Sequence, residues 1–130
     1  MRTDAQVTGD DAESAVAADL ASNGWTILSR NARAGRGELD IVAVDPGPPS
    51  ALVIVEVRWR RTRDFGLAEE TVDFRKRAHL RAAIARLLED GLTDGIVLPR
   101  LPLRVDLVVV EPTPEAGGSL RIRHHRAIRL

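Results

Sequence analysis

The chain has 130 residues, enough for one compact domain with a core of moderate size. Hydrophobic residues at 44% and charged residues at 29% exclude wholesale disorder. With 19 basic and 19 acidic side chains the net charge is zero, so bulk electrostatics select no partner, and any nucleic-acid site must come from local patterning. There is no cysteine, which excludes disulfides, thiolate metal sites and a cysteine nucleophile.

The first 16 residues lack the continuous apolar stretch of a signal peptide. No apolar run approaches the roughly 20 residues that span a bilayer. A cytoplasmic protein without membrane association is the expectation. Residues 10–23 suit a short helix. At 100° per residue Ala12, Val16 and Leu20 share one face, with Glu13 at the edge of the stripe. Asp10 suits the cap, and Asn23-Gly24 ends the helix. "WTILSRNAR" then reads as a strand, "AGRG" as a turn, "ELDIVAVD" as a second strand, "PGPPS" as a loop and "ALVIVEVRW" as a third strand. Short connections between three strands predict an antiparallel meander.

Residues 60–70 have no clear period, and a mobile exposed loop is expected there. Thr71 suits the cap of a long helix that ends near Gly91, with Val72, Leu80, Ala83 and Leu87 on its apolar stripe. Lys76, the chain's single lysine, falls at the angular centre of that stripe. "LRVDLVVVE" is a fourth strand, and "SLRIRHHRAIRL" is a short edge strand with a basic tail. The order is helix, three strands, helix, strand and a further strand, in a single α/β domain over 1–130.

Side chains two apart on a strand share a face. Glu56 and Arg58 therefore project together with Leu52 and Ile54, while Glu38 and Asp40 share a face with Val42 and Val44. Antiparallel pairing of the second and third strands makes Asp40 and Glu56 cross-strand neighbours. Two opposed carboxylates repel, unless one is protonated or a cation lies between them. Such hard oxygen ligands suit Mg²⁺, which takes one or two protein carboxylates and keeps several waters. In the plainer alternative Glu56 and Arg58 form an ion pair at a sheet edge and Asp40 is solvated near the turn. Asp106, in "RVDLVVV", is by default structural, a partner for an arginine.

"GELDIVA", a short loop and "VIVEVRWR" resemble the signature of the YraN-like family of small bacterial proteins. The resemblance extends to Gly9 and Glu13, to "GWTILSRNAR", to Lys76 with Leu80 and to "RVDLVVV". It covers most of the chain in order. That family resembles members of the PD-(D/E)xK endonuclease-like superfamily, whose core is a helix, a three-stranded meander, a helix and a further strand. The resemblance therefore implies a restriction-endonuclease-like α/β fold with a mixed sheet. It also implies a site in which Asp40, Glu56 and Glu13 hold Mg²⁺ or Mn²⁺. Phosphodiester hydrolysis of nucleic acid, with DNA as substrate, is the activity it implies, and a homodimer is compatible with it because related nucleases often dimerise.

Two departures stand out. Leu39 replaces the proline that leads the superfamily motif. More important, the lysine two residues after the second acid is Arg58 here. Arginine stays protonated and cannot act as a general base, though its planar fork binds phosphate. Lys76 is a candidate substitute; alternatively its stem covers apolar surface and its ammonium reaches solvent or pairs with an acid. For Glu13 the alternative is a capping-box-like role with Asp10.

"RWRRTR" follows the proposed site directly. Arg58, Arg60, Arg61 and Arg63, with Lys76, are candidate phosphate contacts. Trp59 either stacks on an unpaired base or, by its parity with Val55 and Val57, packs in the core. His124 and His125 are adjacent and so face opposite ways on a strand, which makes them a poor chelating pair. Three functions remain open: a metal-dependent endonuclease, a nucleic-acid-binding module that kept the fold without cleaving, and a protein–protein adaptor.

Overall fold

A computed structural model describes residues 9–60, 74–93, 95–113 and 120–130. Helix α1 (Gly9–Ser22) is followed by strands β1 (Thr26–Ala34), β2 (Gly37–Asp45) and β3 (Ala51–Trp59). Helix α2 (Phe74–Asp90) and strands β4 (Leu103–Pro112) and β5 (Leu120–His125) complete the order. The expected element order is present. Thr71, Val72 and all but the first residue of the loop expected at 60–70 lie outside the described residues.

The five strands form one sheet in the order β1-β2-β3-β4-β5. β1, β2 and β3 pair antiparallel, β3 and β4 parallel, and β4 and β5 antiparallel. The α2 connection is what allows the parallel pair, since a tight hairpin cannot return a strand in the same direction. β2, β3 and β4 each lie between two neighbouring strands, and β3 and β4, the parallel pair, are rich in Val, Ile and Leu.

One apolar layer joins Ala12, Val16 and Leu20 of α1 to Trp25, Ile41, Ala43, Val53 and Val55. The other joins Leu80, Ala83, Ile84 and Leu87 of α2 to Leu39, Val42, Leu52 and Ile54. The two helices thus cover opposite faces of the sheet. Gly24, at φ 88°, turns the chain out of α1, and Trp25 N–H closes on the Leu20 carbonyl at 3.1 Å. Trp59 packs against the α1-side layer, the core position its parity predicts.

Strict alternation fails at one place. Leu39 belongs to the α2-side layer, yet Ile41, two residues on, belongs to the α1-side layer. The expectation that Glu38 and Asp40 share one face with Val42 is corrected accordingly. The pairs Arg30↔Ile41 and Ala32↔Leu39 set Asn31 opposite Asp40, and Asn31 has φ 52°. Asparagine tolerates this left-handed conformation better than most residues. The backbone rotates there, and the β2–β3 pairing ends at Ile41↔Val55. β2 and β3 fork just beyond that pair.

Candidate active site

The fork holds the acids. Continuing the β2–β3 register by one residue sets Asp40 against Glu56. Past the last backbone pair, Val57 N–H has no β2 carbonyl to use, and it donates to Asp40 Oδ2 at 2.9 Å. A side chain thus replaces a missing ladder bond and fixes the Asp40 carboxyl beside β3.

Glu56 is 3% exposed. A buried carboxylate needs a partner, and α2 supplies one, with Lys76 Nζ 2.9 Å from Glu56 Oε1. The carboxyl groups of Asp40 and Glu56 are also in hydrogen-bond contact. Burial, followed by the negative charge of Glu56, raises the Asp40 carboxyl from its ordinary value to about 7; the Val57 hydrogen bond and the charge of Lys76 oppose the rise. Asp40 therefore carries a proton through much of the acidic range. Both means of tolerating opposed carboxylates are in use here, a proton on one acid and a cation beside the other.

Glu13 lies on the other side of the fork, 7% exposed. Asn31 stands between the two acidic groups. Its amide nitrogen donates to Glu13 Oε1 at 2.9 Å and Oε2 at 3.2 Å, and to Glu38 Oε1 at 3.0 Å. Arg30 Nη2 adds a distant contact to Glu13 Oε1 at 3.9 Å and donates to Ser14 Oγ at 3.1 Å. Among the described residues no group of three or more His, Asp or Glu side chains is placed to hold a metal ion. The structure brings together Asp40, Glu56 and Lys76, and it ties Glu13 to Glu38 through Asn31.

Arg58 is half-buried, next in register to Val109, and among the described residues its Nε has no hydrogen-bond partner. Glu56 pairs with Lys76 rather than with Arg58. Arg60 is half-buried, and its N–H donates to the Val110 carbonyl at 2.8 Å. Arg61 and Arg63 lie outside the described residues. Sequence reasoning missed Asn31. The available signal was an asparagine in mid-strand, a residue type that strands disfavour.

Asp106 forms a separate polar cluster on the α1 face. It is fully buried. Arg104 makes two 2.9 Å hydrogen bonds to it, His124 Nε2 lies 2.8 Å from Oδ2, and Ala127 N–H donates to Oδ1 at 3.0 Å. Burial alone would raise its pKa, but these bonds outweigh burial and lower it to about 2. The structural role expected of Asp106 is the one found, with His124 as a further partner.

A mixed five-stranded sheet with one helix on each face, in the order helix, meander, helix and strands, defines an α/β protein with an endonuclease-like core. The chain belongs to uncharacterised protein family UPF0102, the YraN-like family, whose sequence model matches residues 12–110. It is 41% identical over 115 residues to the UPF0102 protein of Symbiobacterium thermophilum, covering 88% of this chain and 89% of that one. A UPF0102 protein of Pseudomonas savastanoi is 37% identical over 119 residues, covering 92% and 91%. One from Roseiflexus castenholzii is 42% identical over 103 residues, covering 78% and 77%. Among the described residues no helix is long and apolar enough to cross a membrane.

Proposed function

We propose that this chain binds nucleic acid and hydrolyses phosphodiester bonds with Mg²⁺ or Mn²⁺, with DNA as the substrate class. The observation that carries the reading is the Asp40–Glu56–Lys76 constellation at the strand fork. Two hard carboxylates meet there, one of them held well above its ordinary pKa by burial and by the other's charge. Once Asp40 ionises, two carboxylates share the single ammonium of Lys76. The donor set fits a small divalent ion, for which one or two carboxylates and several waters suffice.

Asp40 and Glu56 would hold the ion, which when bound would acidify a coordinated water and draw charge from the phosphate. The remaining work falls to the chain. Val57 N–H keeps the Asp40 carboxyl oriented. Lys76, anchored on Glu56, would place its positive charge beside a phosphate oxygen or the attacking water. This supplies from α2 the cation that the superfamily motif carries where Arg58 stands. Arg58 is left to bind phosphate.

The testing experiment is cleavage of linear, branched and single-stranded DNA with Mg²⁺ or Mn²⁺, with Asp40→Ala as control. Cleavage by the wild type that is lost in Asp40→Ala supports the reading; cleavage that survives the substitution sinks it. A second reading, a nucleic-acid-binding module that does not cleave, is favoured by the arginine at position 58. Salt-dependent binding without hydrolysis would select it.

A further inference from the structure

A groove of about 420 Å³ runs between α2 and the tip of the β1–β2 hairpin, and Lys76 is part of its wall. Lys76 also contacts Glu56, so the groove and the acidic site share this side chain. Its rim carries Arg36, His79 and Arg86 in addition to Lys76, above an apolar floor that includes Leu80 and Ala83. Among the described residues Glu38 is the one carboxylate in the lining, and Asn31 donates to it. Arg86 also pairs with Asp90 at 3.1 Å, an exposed i,i+4 contact weak enough for a ligand to displace.

The walls are closely set. A methyl group on Gly37 would come 3.3 Å from Ala83 Cβ, and one on Gly35 would come 3.2 Å from Arg86 Cγ. Gly35 also has φ 63°, so the hairpin tip keeps its turn and leaves Arg86 its room together.

We propose that this groove is the channel for a single-stranded segment of nucleic acid leading to the phosphate at Lys76, with Arg36 and Arg86 on its phosphates. The proposal deepens the hydrolase reading and rests on it for the position of the scissile bond. The occupant is a single strand because the cations stand over an apolar floor, Leu80 and Ala83, which an unpaired base can cover and the stacked bases of a duplex cannot reach. His79 and the guanidinium planes offer stacking surfaces for a base, as in other single-strand sites.

The test is fluorescence anisotropy in EDTA, where binding is read without hydrolysis. The probes are a blunt DNA duplex, the same duplex with a single-stranded overhang, and the free single strand. The wild type is expected to bind the overhang duplex at least about tenfold more tightly than the blunt one. Arg36→Glu with Arg86→Glu should abolish that preference, and removal of two phosphate contacts should flatten the salt slope for the single strand by about 1.4. Ala82→Glu, at an exposed helix position in the lining, places a negative charge in the groove without removing a contact and should act in the same direction.

Circular dichroism of both variants establishes that each is folded. An overhang preference that persists in the two folded variants, or its absence from the wild type, overturns the groove. Groove-dependent binding without cleavage on adding Mg²⁺ would keep the groove and remove the hydrolase reading. Cleavage that is indifferent to both variants would do the reverse, and failure to bind any probe removes both.

Discussion

Lys76 Nζ lies 2.9 Å from Glu56 Oε1, an ion pair between the second helix and the central strand beside a carboxyl that holds its proton to about pH 7. The pair fixes α2 to the sheet at the place where β2 and β3 part. In the proposed reaction Lys76 would meet two anionic demands, that of Glu56 in the free protein and that of a phosphate in a complex. Lys76→Met removes the charge but keeps the apolar stem. Glu56 would then be buried against Asp40 with no cation, and breaking such pairs costs up to about 3–5 kcal/mol. Lys76 is about one-third exposed, so a loss on the order of 2 kcal/mol in urea unfolding at pH 8 is expected. Cleavage should fall at least about a hundredfold. A variant as stable as wild type would show that the pair contributes nothing to the fold.

Asp40→Asn should act in the opposite direction on stability. The folded carboxyl titrates near 7 and the unfolded one near its ordinary value of 3.8. Between those values the folded chain binds more protons than the unfolded chain, so metal-free stability falls as pH rises from about 4 to about 7 and levels off above. Asparagine keeps the acceptor for Val57 N–H, adds a donor toward Glu56 and carries no charge. The variant is expected to match wild type near pH 4 and to exceed it at pH 8 by on the order of 2 kcal/mol, after allowance for solvent screening. Millimolar Mg²⁺ should raise the melting temperature of wild type at pH 8 and leave Asp40→Asn unmoved. Denaturant titrations at the two pH values, with and without the ion, separate these effects.

Arg58→Lys restores the lysine of the superfamily motif. If position 58 limited the reaction, cleavage would rise. With the Lys76 ammonium already at Glu56, the expected change in rate is less than about twofold. Arg58→Ala should instead raise KM for DNA with little change in kcat, because what it would lose is the proposed phosphate contact. A large gain in Arg58→Lys would return the catalytic cation to β3 and reduce Lys76 to a structural partner.

Much of this was legible in the sequence because period and spacing carry it. Ala12, Val16 and Leu20 on one helical stripe, Lys76 at the centre of another, and Val and Ile runs cut by single acids give the element order and bring Asp40 to Glu56. The fork was not legible. It lies where Asn31 of β1, in the left-handed region, stands opposite Asp40, and there Leu39 and Ile41 face opposite layers. Alternation rules assume a regular pleat and cannot see that change of face. The tie between Glu13 and Glu38 follows from the same local conformation, and the groove follows from the close approach of Gly37 to Ala83. None of these leaves a periodic trace.

The Asp106 cluster offers a test of stability apart from the site. Its carboxylate is fully buried, takes both arms of the Arg104 fork and also binds His124 and Ala127 N–H. It joins β4 to β5 and to the tail that follows, while Arg104 also reaches Asp45 at the end of β2 through a 2.9 Å contact. Asp106→Ala would take two hydrogen bonds from Arg104, leaving it Asp45, and leave Ala127 N–H unsatisfied, and a loss of about 3 kcal/mol is expected. The folded pKa is lowered to about 2, so the stabilisation is complete above the ordinary carboxylate value near 4 and is lost as pH falls toward 2. Wild type should therefore lose stability steeply between about pH 4 and pH 2, and Asp106→Asn should flatten that limb. Because Asp106 faces α1 and Glu56 faces α2, the substitution should lower the melting temperature while leaving the effect of Mg²⁺ on it intact. An Mg²⁺ response lost together with Asp106 would mean that the two faces of the sheet are coupled through β3 and β4.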